Sequence, residues 1–254
     1  MPVAETDVSV ELRGAMEAGQ LLLHYQPKLK LAADRITDVE ALLRWNHPER
    51  GLLAAGEFLD RPLSTEVAVE LGHWVLRSAV QQIAEWTAAG IELGVCVNFS
   101  PRQLTDPTLL DALDSLTAQA GIPATSVNME ITEAAALSDL PLTVERVHAI
   151  RERGLDVTLD DFGTGFSSLT WLQELPVSML KLDRSFVAQL GKHPRTDAIV
   201  EAVLHLGHAL GLYTIGEGVE TPEQLERLRH LECDAVQGYY ISRPVPADKI
   251  PALL

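Results

Sequence analysis

The residues able to do chemistry are Glu40, Asn98, Glu130, Glu133, the adjacent pair Asp160-Asp161, Lys181, Glu217 and Gln237. Each stands in or at the end of an otherwise apolar run. Polar groups that repeatedly close apolar strands are costly unless they are paired, bound to a metal or turned toward a site. Taken singly, each also reads as a loop cap or an ion-pair partner, and Gln237-Gly238 as a tight turn. Asp160-Asp161, followed by Gly163-Thr164-Gly165, could be a strand-to-loop turn. Taken together, six different strands would all have to end in oxygen or ammonium groups by coincidence. Carboxylates gathered at one place raise one another's pKa and cannot all stay ionised unaided. Hard divalent cations relieve that repulsion, and Mg²⁺ or Mn²⁺ suit carboxylates joined by an Asn carbonyl.

The elements that would bring these groups together can be read from the apolar runs at residues 21–30, 36–45, 94–99, 127–132, 157–161, 179–183, 213–217 and 235–239. Between them lie helical patterns. Leu71, Val75, Ala79, Ile83 and Trp86 recur with a period near 3.6, as do Ile199, Val203, Leu206 and Leu210. Asp106-Pro107 and Thr221-Pro222 place Pro at a first helical position. Gln224 completes a capping box with Thr221, and Gly211 is expected to be a left-handed helix cap.

Strand–helix alternation at this spacing means parallel strands joined by crossover helices. The fold class expected is α/β, a single (β/α)8 TIM-like barrel, whose C-terminal strand ends converge on one mouth. The first two runs are separated only by residues 31–35, too few for a crossover helix. They must form a hairpin, which makes the first strand antiparallel. No linker divides the chain, so residues 11–254 are expected to form one domain behind a tail of residues 1–10.

Composition narrows the function. The chain of 254 residues carries 36 acidic and 20 basic side chains, a formal charge of −16, which argues against a sequence-independent DNA or RNA binder. It has no apolar run of membrane-spanning length and no basic, apolar leader at its start, so a cytoplasmic protein without membrane partners is expected. Cys96 and Cys233 are the only cysteines, which leaves neither a disulfide framework nor a cysteine zinc site. The eight histidines form no metal-binding pattern, and neither a phosphate-binding Gly-rich loop nor a G-x-S-x-G elbow occurs.

At these residues the chain resembles the EAL-domain family, bacterial phosphodiesterases acting on cyclic di-GMP. The name-giving tripeptide is Glu40-Ala41-Leu42, within a stretch that runs through Arg44-Trp45 to Pro48. The likeness continues through Tyr25-Gln26-Pro27, Val97-Asn98-Phe99-Ser100 and Glu130-Ile131-Thr132-Glu133. It then covers Asp160-Asp161-Phe162-Gly163-Thr164-Gly165-Phe166-Ser167-Ser168 and Leu180-Lys181-Leu182-Asp183-Arg184-Ser185-Phe186. Glu217-Gly218-Val219-Glu220-Thr221, Gln237-Gly238-Tyr239 and Pro244 complete it, so it extends from about residue 10 to 250.

The resemblance implies a barrel with an antiparallel first strand and two divalent cations, Mg²⁺ or Mn²⁺. Glu40, Asn98, Glu130 and Asp160 would hold one cation, and Asp160, Asp161 and Glu217 the other. Two such ions activate a water and clamp the attacking and leaving oxygens of an in-line displacement. Cyclic di-GMP would be opened to linear pGpG, which ends its second-messenger signal. Glu40, Lys181, Glu133 and Gln237 would be the catalytic set: Lys181 holding or helping to deprotonate the water, Glu133 tying down the loop of residues 162–168. Gln26, Leu42, Arg44, Asp183 and Gln237 would meet the substrate, with Arg44 and Gln237 toward its phosphate or the attacking water. The family also includes homodimers and proteins with sensor or cyclase-type domains, so both are open for a longer parent protein.

The chain departs from the family pattern twice. Residues 59–67 lack the usual I-P-x-A-E-x-x-G-L, and Gly216 replaces the Ala that usually precedes the Glu at position 217, a lost methyl expected to loosen that ligand slightly. Two other functions remain open: a cyclic di-GMP receptor that has lost catalysis, and an unrelated Mg²⁺ barrel enzyme. Receptors usually lack a metal ligand or the loop Glu, whereas every such position is filled here.

Overall fold

The structure is a computed structural model that describes residues 7–59, 63–164 and 170–254. Among these, nine strands form one sheet: β1 Leu21–Lys30, β2 Arg35–His47, β3 Gly51–Ala54, β4 Gly94–Asn98, β5 Val127–Thr132, β6 Val157–Phe162, β7 Met179–Leu182, β8 Tyr213–Glu217 and β9 Ala235–Gln237. Eight of them close into a barrel, because β1 pairs with both β2 and β9 while β3 only extends β2. Strands β2, β4, β5, β6, β7, β8 and β9 run parallel, and β1 is antiparallel to both neighbours. The turn between β1 and β2 is closed by Asp34 in a left-handed conformation, φ +48°.

The helices are α1 Asp7–Glu17, α2 Thr65–Ala88, α3 Pro101–Leu104, α4 Leu109–Ala120, α5 Glu133–Ser138, α6 Leu140–Glu152, α7 Arg184–Val187, α8 Pro194–Ala209 and α9 Pro222–His230. None of the described helices is long and apolar enough to cross a membrane.

Four local expectations change. Residues 7–10, assigned to a tail, open α1, which buries Val8, Leu12 and Ala15 along one face. Ser9 fixes it by accepting a hydrogen bond from the backbone N–H of Ser64 at 3.0 Å, just before α2. Strand β3 was not anticipated; it returns alongside β2 after a turn in which His47 Nδ1 accepts from the N–H groups of Glu49 and Arg50. Pro107 lies outside α4, and Asp106 accepts from the Thr108 N–H ahead of that helix.

Helix α8 has the expected period, but its buried face is Val200, Leu204 and Gly207, while Ile199 is 46% and Leu210 40% exposed. The cause is Gly207. A Cβ there would sit 2.7 Å from Thr214 Cγ2, so the helix turns its smallest residue onto β8. The other signals match: α2 buries Leu71, Ala79, Ile83 and Trp86, Thr221 and Gln224 form the capping box of α9, and Gly211 is left-handed at φ +72°.

Candidate active site

Side chains alternate along a strand, so Glu40, Leu42 and Arg44 share one face of β2. Gln26 on the antiparallel β1 is the register partner of Glu40. Glu217 of β8 likewise stands beside Gln237 of β9, and Asn98 of β4 beside Glu130 of β5.

Lys181 of β7 lies at the centre with its side chain 1% exposed. Its Nζ is 3.1 Å from Glu40 Oε2, 3.4 Å from Glu130 Oε2, 3.4 Å from Asp160 Oδ2 and 3.7 Å from Glu217 Oε2. Burial alone would push the ammonium down, but the surrounding carboxylates raise its pKa well above the ordinary lysine value.

The carboxylates are not equivalent. Burial raises Glu40, but Lys181, Lys28 and hydrogen bonds from Asn98 and Gln237 outweigh it and bring the group down to about 2. Asn98 Nδ2 donates to Glu40 Oε1 at 2.7 Å, and Gln237 Nε2 to Glu40 Oε2 at 2.7 Å. Asp160 has the opposite balance. Burial and the charges of Glu130, Glu40 and Glu217 exceed the help of Lys181 and push it up to about 7. Burial likewise raises Asp161, with the nearby Asp183 adding to it, and raises Glu217.

Asp160 and Asp161 would point to opposite faces in a regular strand. Here the β6–β7 register slips between Leu159 and Phe162, and Asp161 is left-handed at φ +56°. This bulge lets oxygens of Asp160, Asp161 and Glu217 lie within 4.8 Å of one another. An all-oxygen, mutually repelling donor set, with Asp160 buried and Asp161 and Glu217 partly exposed, is the chemistry that a hard divalent cation fits.

Glu133 is buried at the start of α5, and its Oε2 accepts from the Gly163 N–H at 2.9 Å, fastening the first turn after β6. Residues 165–169 of that loop, and with them Gly165, Phe166, Ser167 and Ser168, lie outside the described residues, as do residues 60–62 of the 59–67 segment. Arg44 is half-buried and donates to the Leu43 carbonyl at 2.8 Å. Leu42 lines an adjoining, mostly apolar groove of about 660 Å³ together with Asn98, Phe99 and Leu71. Asp183 is held as the cap of α7, accepting from the N–H and hydroxyl of Ser185.

One participant was missed. Lys28, fully buried two residues beyond Gln26 on β1, pairs with Glu130 Oε1. A lysine in phase with Gln26 in an apolar strand was the available signal. The expected loosening at Gly216 has a counterpart on the outer face: a Cβ there would meet Leu228 Cδ1 at 2.7 Å, so α9 fills the space of the missing methyl.

A family model described as EAL domain matches residues 9–244. The bifunctional diguanylate cyclase/cyclic di-GMP phosphodiesterase MucR of Pseudomonas aeruginosa is 38% identical over 243 residues, which cover 95% of this chain and 36% of MucR. The cyclic di-GMP phosphodiesterase NbdA of the same organism is 40% identical over 243 residues, 95% of this chain and 31% of NbdA. The chain thus spans about a third of the length of these curated relatives. Among solved structures, the MucR phosphodiesterase in complex with c-di-GMP is similar at a TM-score of 0.90 and 37% identity, covering 96% of this chain and 100% of that one. The FimX EAL domain of Pseudomonas aeruginosa bound to c-di-GMP is similar at a TM-score of 0.86 and 26% identity, covering 94% of this chain and 97% of that one.

Proposed function

The chain belongs to the EAL-domain family, and from that premise we propose that it hydrolyses cyclic di-GMP to linear pGpG with two divalent cations, Mg²⁺ or Mn²⁺. The observation that carries this reading is the convergence of Asp160, Asp161 and Glu217 within 4.8 Å, beside a buried Lys181 that already gathers Glu40 and Glu130. Relatives that are named cyclic di-GMP phosphodiesterases support the substrate.

Glu40, Asn98, Glu130 and Asp160 would hold one cation, and Asp160, Asp161 and Glu217 the second. Bound there, the cations would balance the acidic mouth, lower the pKa of a water and stabilise the charge that develops on phosphorus oxygens. The chain's own residues do the rest. Lys181 offers N–H donors and a positive charge, and holds the attacking water. Arg44 meets the phosphate as a charged donor. Glu133 acts through the Gly163 N–H to hold the turn that carries Asp161. Leu42 and the apolar groove beside it offer a surface to a base. Water oxygen bonds to phosphorus, one ribose oxygen leaves with a proton, and the ring opens.

In a longer parent protein, sensor or cyclase-type domains would accompany this chain; MucR, by its name, combines a diguanylate cyclase with a phosphodiesterase. Incubation with cyclic di-GMP and Mg²⁺ or Mn²⁺, followed by chromatography and mass spectrometry, tests the reading. Appearance of pGpG supports it. Tight binding without product would make the chain a receptor.

A further inference from the structure

The amide of Gln237 has a direction that the surrounding acceptors impose. Its Nε2 lies 2.7 Å from Glu40 Oε2 and 3.0 Å from Gln26 Oε1. The second of these depends on how Gln26 is turned, and Gln26 is fixed in its turn. Gln26 Nε2 donates to the backbone carbonyl of Ser242 at 3.1 Å. A carbonyl and an ionised carboxylate only accept, so neither amide can be flipped without setting oxygen against oxygen. The chain of bonds therefore runs one way: Gln26 donates to Ser242, and Gln237 donates to both Gln26 and Glu40.

A primary amide has two protons, and both protons of Gln237 are consumed by the protein. What remains is its Oε1, which is buried and has no hydrogen-bond partner among the described residues. A buried, unpaired acceptor is costly, which marks it as a group waiting for a donor. A phosphodiester oxygen is no such donor, whereas a water is.

We propose that Gln26 is a positioning residue that takes the second amide proton of Gln237, so that Gln237 enters the reaction only as an acceptor, toward the attacking water and not toward the phosphate. This rests on the hydrolytic reading above. It also moves Gln26 out of direct substrate contact: Gln26 is buried, and both ends of its amide are engaged by protein.

The test uses Gln26→Met, similar in length and unable to make either bond. In the ligand-free protein, the side-chain amide protons of Gln237, assigned by their loss in Gln237→Leu, are followed by hydrogen exchange in NMR. Both should exchange slowly in the wild type, and one should become fast in Gln26→Met. With cyclic di-GMP and Mn²⁺, kcat should fall roughly three- to tenfold, the worth of one oriented hydrogen bond. KM should stay within about twofold, because the loss is felt in the transition state. Unchanged exchange, or a raised KM at unchanged kcat, would overturn the proposal. A wild type without hydrolysis overturns the functional reading and the water assignment with it, while the exchange experiment still judges whether Gln26 holds the amide. If Gln26→Met loses its native near-UV spectrum, Gln26→Asn, which withdraws the amide by one methylene, is read by the same criteria.

Discussion

Asp160 and Asp161 are adjacent in sequence, yet both contribute oxygens to one cluster with Glu217, because Asp161 is left-handed at φ +56° where the β6–β7 register slips. Backbone strain of this kind persists where the surroundings enforce it. Here Asp160 Oδ1 accepts from the Asp161 N–H at 2.8 Å, and Thr164 closes back on the Asp161 carbonyl.

That geometry separates conformation from charge. Asn tolerates the left-handed region as Asp does. Asp161→Asn is therefore expected to keep its melting temperature within a few degrees, a change worth under about 1 kcal/mol, and to lose most hydrolysis. Differential scanning calorimetry beside a product assay checks both. Retained activity would remove Asp161 from the cation site.

Glu133 Oε2 accepts from the Gly163 N–H at 2.9 Å and so holds the turn after β6. Glu133→Ala should lower kcat by about tenfold or more by releasing the turn after β6. Glu133→Gln keeps an acceptor oxygen and should retain clearly more activity than the alanine variant. Equal loss in both would show that the charge of Glu133, and not the bond, is what matters.

Lys181 is surrounded by four carboxylates. Lys181→Ala should cut kcat by about 10²–10⁴-fold, the scale of a group acting on the proton or the nucleophile. Cyclic di-GMP affinity, measured by isothermal titration with Ca²⁺ present, should change little. An unchanged kcat would return Lys181 to a structural ion pair.

Mg²⁺ and Mn²⁺ should each support turnover, excess chelator should abolish it, and Ca²⁺ should inhibit, because its longer and looser coordination spoils a compact two-cation site. Full turnover in chelator would contradict the assignment of the carboxylates to cations.

The barrel and its hairpin were legible because strand runs and loop lengths leave few topologies. The polar strand ends were legible because a buried Glu or Lys in an apolar run demands a partner. The α8 stripe was half right: Val203 and Leu206 pack against the core, but Ile199 and Leu210 are exposed, because hydrophobicity cannot register that Gly207 permits a closer approach to Thr214 than any larger residue. Strand β3 has only four residues, and its pairing depends on β2 running past the barrel to His47. Lys28 escaped notice because its partner Glu130 is on β5, which does not pair with β1, so the ion pair shows only when the closed barrel brings the two side chains together. The direction of the Gln26–Gln237 amides needed the Ser242 carbonyl, 216 residues from Gln26 along the chain.

The most direct measurement compares the wild type with Glu40→Ala for formation of pGpG from cyclic di-GMP in Mg²⁺ and in Mn²⁺. Glu40 sits within hydrogen-bond reach of Lys181, Asn98 and Gln237 and is expected to ligate one cation. The wild type should yield pGpG with either metal, and Glu40→Ala should fall close to background while keeping a folded barrel, since a displaced cation no longer activates the water. A wild type that binds cyclic di-GMP tightly, yields no pGpG with either metal and is indifferent to Glu40→Ala would instead be a receptor.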